Sequence, residues 1–227
     1  MSDDNKPVNI KTPKGIARFP HLTHADFEYQ EGGVFSVKLV LDGDEASGLI
    51  ETIDGLMEKS LAKAKSEAKN AAEKKKIKPA DPPYQAVLDP DTGEETGEYT
   101  FTFKMYREGK RKDGSKFTRR PALFDGKGNK LPKGVEIGGG STIRVAGFAT
   151  LFFTKLVGAG VSLKLQAVKV IQLVEPGAGG DASAFGFDDD EGEDLSDRQA
   201  DEPDEDEDDT DSDEADDEDE EDDEPEF

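Results

Sequence analysis

The distribution of charge divides this chain before any secondary structure is considered. Of its 227 residues, the first 176 carry 28 Lys and Arg against 24 Asp and Glu, a formal +4. The last 51 carry 29 acidic side chains and a single basic one, Arg198, a formal −28. Like charges at that density cannot be neutralised by collapse, and the acidic stretch offers almost nothing apolar whose burial could offset the entropy of ordering it. The expectation is one folded domain over residues 1–176 and a disordered acidic tail over residues 177–227, ending in Phe227. The two parts attract each other and select different partners.

Several classes of protein are excluded early. No run of about 18 apolar residues is present that could cross a bilayer. The polar start Met1-Ser-Asp-Asp-Asn-Lys6 lacks the apolar stretch of a secretory signal. The chain therefore reads as a protein of the cytoplasm in which it is made, with no membrane partner. Cysteine is absent, which removes disulfides, thiolate zinc sites and thiol nucleophiles. His21-Leu-Thr-His24 has no Glu between its histidines and no further His to join it, a poor metal site. Gly138-Gly-Gly-Ser141 lacks the Gly-Lys-Ser/Thr ending of a phosphate-binding loop and reads as a turn. Asp89-Pro-Asp-Thr-Gly-Glu-Glu95 lacks the ligand spacing of a calcium loop. No nucleophile–base pair is visible in the spacing, so the chain reads as no enzyme, with no cofactor and no metal.

The periodicity predicts a mainly β domain. Phe35, Val37, Leu39 and Leu41 alternate on one face of a strand that Asp42-Gly43 ends. From Asp44 to Lys76 the period changes, with Leu49, Ile50, Ile53, Leu56, Met57, Leu61, Ala64 and Ala68 on one helical face, Asp44 as N-cap and Lys74-Lys75-Lys76 at the C-terminal end. Pro79, Pro82 and Pro83 stop that helix. Tyr99, Phe101, Phe103 and Met105 alternate with Thr100, Thr102, Lys104 and Tyr106 in a second strand, and residues 99–124 read as a basic hairpin turning at Asp113-Gly114. Long strands are expected over Ser141–Phe153 and Val161–Val174, with a further one around Ile16–Leu22. A sheet of this kind hides its edges by closing, and an OB-fold-like antiparallel barrel with one long interposed helix is the expected architecture. The helix follows Leu41 earlier than the usual place between the third and fourth strands, and an extra N-terminal strand would restore the count.

Three features could carry function. In the hairpin, Arg107, Lys110, Arg111, Lys112, Lys116, Arg119 and Arg120 stand against only Glu108 and Asp113. Such a hairpin either tracks phosphates, each contact releasing counterions, or merely solubilises. The aromatics favour nucleic acid, because Tyr106 lies on the polar side of its strand beside Lys104 and Phe117 sits within the basic run, where bases can stack. At Leu151-Phe152-Phe153-Thr154-Lys155, alternation lets one phenylalanine face the core and leaves the other for a stacked base, a covering loop or a second subunit. In the tail, Phe227 presents a ring and a free carboxylate after Asp222, Asp223, Glu224 and Glu226, a docking peptide for a basic partner pocket or a solubilising end.

Three blocks, Val135-Glu-Ile-Gly-Gly-Gly-Ser-Thr-Ile-Arg-Val145, Val157-Gly-Ala-Gly-Val-Ser-Leu-Lys-Leu-Gln166 and Val170-Ile-Gln-Leu-Val174, resemble the single-stranded DNA-binding proteins of short-tailed, podovirus (Autographivirus-type) bacteriophages. The resemblance extends to Gly33-Val-Phe-Ser-Val-Lys-Leu39, the helix, Tyr99-Thr-Phe-Thr-Phe-Lys-Met-Tyr106 and the acidic tail with its terminal Phe227. It implies an OB-fold that coats single-stranded DNA without sequence preference, often as a homodimer, in replication, recombination and repair. It also implies strand annealing, and recruitment of the replicative DNA polymerase and primase-helicase through the tail in the cytoplasm of the infected bacterial host. Carried over, Phe152 and Phe153 fall where the family places strand-end aromatics near DNA, Phe227 is the partner-docking terminus and the preceding carboxylates its electrostatic part; Lys155, beside the phenylalanines, is expected to contact DNA as well. The competing expectation is an acidic-tailed chaperone or assembly factor that binds basic proteins and ignores DNA.

Overall fold

The computed structural model describes residues 6–28, 30–111 and 113–176. The described chain runs β1 (Val8–Lys11), β2 (Gly15–Asp26), β3 (Val34–Asp42), α1 (Gly43–Glu67), α2 (Ala71–Lys76), β4 (Tyr84–Leu88) and β5 (Glu95–Tyr106). It continues through β6 (Glu108–Lys110), β7 (Lys116–Thr118), β8 (Ala122–Phe124), β9 (Thr142–Thr154) and β10 (Gly158–Gln172). Five strands close a ring, in which β9 pairs with β2, β2 with β3, β3 with β5, β5 with β10, and β10 returns to β9. Within the ring only the β5–β10 contact is parallel, at Lys104 opposite Lys164. This is the OB-type barrel expected from the strand pattern, with β1, β4 and β8 added outside the ring.

Period-two alternation builds the interior. On β3, Phe35, Val37 and Leu39 stand opposite Met105, Phe103 and Phe101 of β5, and all six are buried. Val161, Leu163 and Leu165 of β10 and Ile143, Val145 and Ala149 of β9 complete the lining. Gly147 is needed between Val145 and Ala149, because a Cβ there would strike the Lys164 carbonyl across the pair. Helix α1 packs on β10, β9, β5 and β3 through Ala46, Leu49, Ile53, Leu56, Ser60 and Ala64, spaced three and four apart. Ser60 Oγ donates to the Phe152 carbonyl at 3.0 Å, tying the helix to the end of β9.

Three expectations need correction. The helix is capped by Asp42, whose carboxylate accepts the Asp44 N–H at 3.0 Å, rather than by Asp44 itself. It does not run unbroken to Lys76, because Ala68 leaves the helical region and Asn70 caps a separate α2, its side chain accepting the Glu73 N–H at 2.8 Å. The extra N-terminal strand exists as β1, but it pairs with β9 outside the ring. The long helix therefore lies between the second and third strands of the barrel itself.

The Ile137–Ser141 block has a structural reason. Gly138 packs where a Cβ would meet the Val174 carbonyl at 2.8 Å, and Gly140 takes φ +87°. Buried Ser141 then exchanges two hydrogen bonds with the Val174 backbone, at 3.1 and 3.0 Å. These contacts bind the start of β9 to the chain just past β10.

Candidate nucleic-acid interface

The inward residues of β3, β5, β10 and β9 fill the core, so the alternate residues form a continuous outer face. Across it, strand register lines up Ser36, Lys104, Lys164 and Phe148. Lys38 and Thr102 stand opposite each other one step along. Next to this row, Tyr106 is 42% exposed, Lys164 Nζ lies 5.5 Å from its ring centroid, and Arg119 Nε donates to its carbonyl at 2.8 Å. Burial first, then the nearby Arg119 and Lys104 charges, hold the Lys164 pKa below the ordinary lysine value. None of Lys38, Lys104, Lys164 and Arg119 has an acidic partner within ion-pair distance among the described residues. A cluster of unopposed cations around an exposed ring is arranged for an anionic ligand that also stacks.

The basic hairpin is shorter than its expected span, comprising β6 and β7 with Glu108 opposite Thr118 and Lys110 opposite Lys116. Gly114 takes φ +85° at its turn, and the Arg111 N–H donates to the Ser115 carbonyl. The Ser115 hydroxyl, then its backbone N–H, hold the Asp113 carboxyl below the usual carboxylate range. The guanidinium carbons of Arg111 and Arg119 lie 5.2 and 5.9 Å from the Phe117 ring centroid. Gly109 makes room for that ring. Arg107 lies 5.6 Å from the Phe27 ring and pairs with Glu108 at 3.4 Å, while Arg120 is exposed beyond β7. An open cleft of about 460 Å³ separates the hairpin from the β2–β3 loop, lined by Gly32, Gly33, Tyr106, Gly109, Lys110 and Lys116. Lys112 lies outside the described residues, as do Asp222, Asp223, Glu224, Glu226 and Phe227.

At the opposite end of the face, the two strand-end phenylalanines divide. Phe152 is half-buried on the outer side, and Cβ atoms built at Gly160 would meet both its ring and the Ala80 methyl at 2.8 Å. Phe153 points to the other side but lies beyond the core, 44% exposed, and Lys155 is exposed in the β9–β10 loop. So neither ring is a core residue, whereas alternation had assigned one of them inside. The sequence reading missed Lys164, Lys38, Phe148 and Phe19. Phe19 is 71% exposed with φ +48°, and Lys38 Nζ lies 5.5 Å from its ring centroid.

A five-stranded OB-type barrel whose outer face joins unpaired lysines, exposed rings and a basic hairpin defines a single-strand nucleic-acid-binding protein. The family described as single-stranded DNA-binding protein, bacteriophage T7, matches residues 10–173, and the chain belongs to that family, which is one of binding proteins and not of enzymes. Among solved structures, gp2.5, the single-stranded DNA-binding protein of bacteriophage T7, is 24% identical with a TM-score of 0.66, over 82% of this chain and 98% of that one. The C-terminally truncated single-stranded DNA-binding protein from bacteriophage Enc34 is 19% identical with a TM-score of 0.53, over 74% and 88%. The Enc34 protein in complex with single-stranded DNA is 18% identical with a TM-score of 0.53, over 77% and 99%. These likenesses concern the fold. No curated protein matches the chain in sequence. Among the described residues, no helix is long and apolar enough to cross a membrane.

Proposed function

We propose that residues 1–176 hold single-stranded DNA of any sequence along the outer face of β3, β5, β10 and β9, between the β6–β7 hairpin and the β9–β10 loop. The observation that carries this reading is the cluster of Lys104, Lys164 and Arg119 around Tyr106, cations that repel one another until a phosphate enters. Bases stack on Tyr106, Phe117 and Phe152, while Lys38, Lys110, Arg111, Lys116 and Arg120 follow the backbone. Ring stacking and phosphate contacts are tolerant of base identity, so binding is sequence-independent.

The acidic stretch 177–227 forms the second functional part. Its formal −28 competes with DNA for the basic face, and Phe227 with Asp222, Asp223, Glu224 and Glu226 docks on the replicative polymerase and primase-helicase. Dimerisation and strand annealing, implied by the family resemblance, complete the role in phage replication, recombination and repair within the host cytoplasm. The test is fluorescence anisotropy of labelled oligo-dT with the full chain and a chain ending at residue 176, across a salt series. Salt-steep binding that tightens on truncation is expected. Equal binding by both chains refutes the competition, and no binding by either refutes the DNA face and points to a chaperone of basic proteins.

A further inference from the structure

Helix α2 is a structural anomaly. It has no buried residue, yet a reciprocal cap holds it, with Asn70 accepting the Glu73 N–H at 2.8 Å and the Glu73 carboxylate accepting the Lys69 N–H at 3.0 Å. What it displays is Lys74, Lys75 and Lys76, followed closely by Lys78. The chain just beyond is pinned to the start of β10. The Ala159 N–H donates to the Lys78 carbonyl at 3.0 Å, and the Ala80 N–H donates to the Ala159 carbonyl at 2.8 Å. Gly158, at φ +112°, packs where a Cβ would lie 2.5 Å from the Lys78 carbonyl. The Ala80 methyl in turn reaches Gly160, where the Phe152 ring also lies. The outer face of the barrel thus passes through Phe152 and Ala80 directly to Lys78 and α2.

The neighbouring β9–β10 loop adds Lys155 and Leu156, the latter 88% exposed. None of Lys74, Lys75, Lys76, Lys78 and Lys155 has an ion-pair partner among the described residues. The acids nearby in sequence are Glu73, occupied by the cap, and Asp81.

We propose that α2 and Lys78 extend the DNA path past the barrel, taking the phosphates of nucleotides that leave the sheet over the β9–β10 loop. The inference rests on the outer face being the DNA-binding surface. It assigns the lysines to DNA long enough to overrun that face, so their effect depends on length.

The test uses the full chain and a variant carrying Lys74→Gln, Lys75→Gln, Lys76→Gln and Lys78→Gln, which retains the parent's melting temperature because nothing in α2 is buried. Labelled oligo-dT of about 6 nucleotides falls near the lower end of the range of about 4–16 nucleotides occupied by single OB-folds, and one of about 20 exceeds it. The variant should hold the short oligonucleotide within twofold of the parent. On the long one it should lose about tenfold or more at low salt, and its salt slope should shrink by about 2–3, at roughly 0.7 per phosphate lost. An unchanged long-oligonucleotide slope and affinity would overturn the proposal. So would an equal loss on both lengths, which assigns the lysines to the acidic tail, whose release onto the barrel face weakens all binding alike. If the parent itself binds neither length, the outer-face reading has failed and this inference with it.

Discussion

Replacing Lys164 by methionine separates its effect on the barrel from its effect on DNA. Methionine keeps an unbranched stem beside Tyr106 and removes the charge. In the free protein that charge stands opposite Lys104 across the β5–β10 contact and near Arg119, and it is partly desolvated. A like-charged cross-strand pair costs about 0.2–1 kcal/mol. For a domain of this size about 1 kcal/mol moves Tm by roughly 2–4 °C, so Lys164→Met should melt higher by up to about 4 °C. On DNA the change is reversed in sign. A charge-assisted contact is worth about 1.5–3 kcal/mol, so affinity should fall about 10- to 100-fold. The salt slope should shrink by about 0.7. The pH dependence follows from the same lowered pKa. A phosphate favours protonated Lys164, so as pH rises through the free-state pKa, binding must take up a proton and weakens. That weakening should begin at a lower pH than an ordinary lysine would give, and it should be absent in Lys164→Met. Scanning calorimetry and oligo-dT anisotropy read both arms. A lower Tm with unchanged DNA affinity would refute the reasoning, leaving Lys164 as packing alone.

Gly109→Ala places a Cβ 2.6 Å from Phe117 Cζ, so the ring must shift from its place beside Arg111 and Arg119. Stacking is worth about 1–3 kcal/mol per base, so oligo-dT affinity should drop at least about fivefold; Tm should hold, as the hairpin supplies no core residue. Gly147→Ala drives a Cβ into the Lys164 carbonyl, and the backbone shift should cost about 1–3 kcal/mol or more, seen as a lower urea midpoint. Tyr84 has its pKa pushed up to about 12, by burial and then by its hydrogen bond to the Asp54 carboxylate. Its folded value exceeds its unfolded one, so its stabilising share is complete below about pH 10 and disappears as pH rises toward 12. Unfolding monitored against pH should show that loss in the parent and a flatter profile in Tyr84→Phe.

The parts of the fold legible in sequence were those where local period and tertiary environment agree. Strands β3 and β5 read cleanly because Phe35 to Leu41 and Phe101 to Met105 alternate without interruption against one core. Strand β2 was only glimpsed as Ile16–Leu22, since Phe19 turns to positive φ and the register shifts after Arg18 and again after His21, which scrambles the alternation. The α1–α2 break was invisible because the apolar period and the lysine run favour one helix, while the decisive signal, Asn70 with Glu73, is a cap embedded in helix-forming sequence. At the site, the hairpin was found from its charge density, the Asp113-Gly114 turn and the aromatics within it. Lys164 escaped because a single lysine between Leu163 and Leu165 is ordinary alternation, and its meeting with Lys104 arises from a parallel contact between segments far apart in the chain.

That parallel contact has one more consequence. The β5–β10 contact that completes the ring has a single register pair, and both of its residues are lysines. That seam has the fewest register pairs in the ring, and on the proposed face a phosphate bridging Lys104 and Lys164 would act as a fastener for the fold itself. Hydrogen exchange along β10 should slow when DNA is present, first around Lys164, so that occupancy of the strand and closure of the protein report on a single equilibrium.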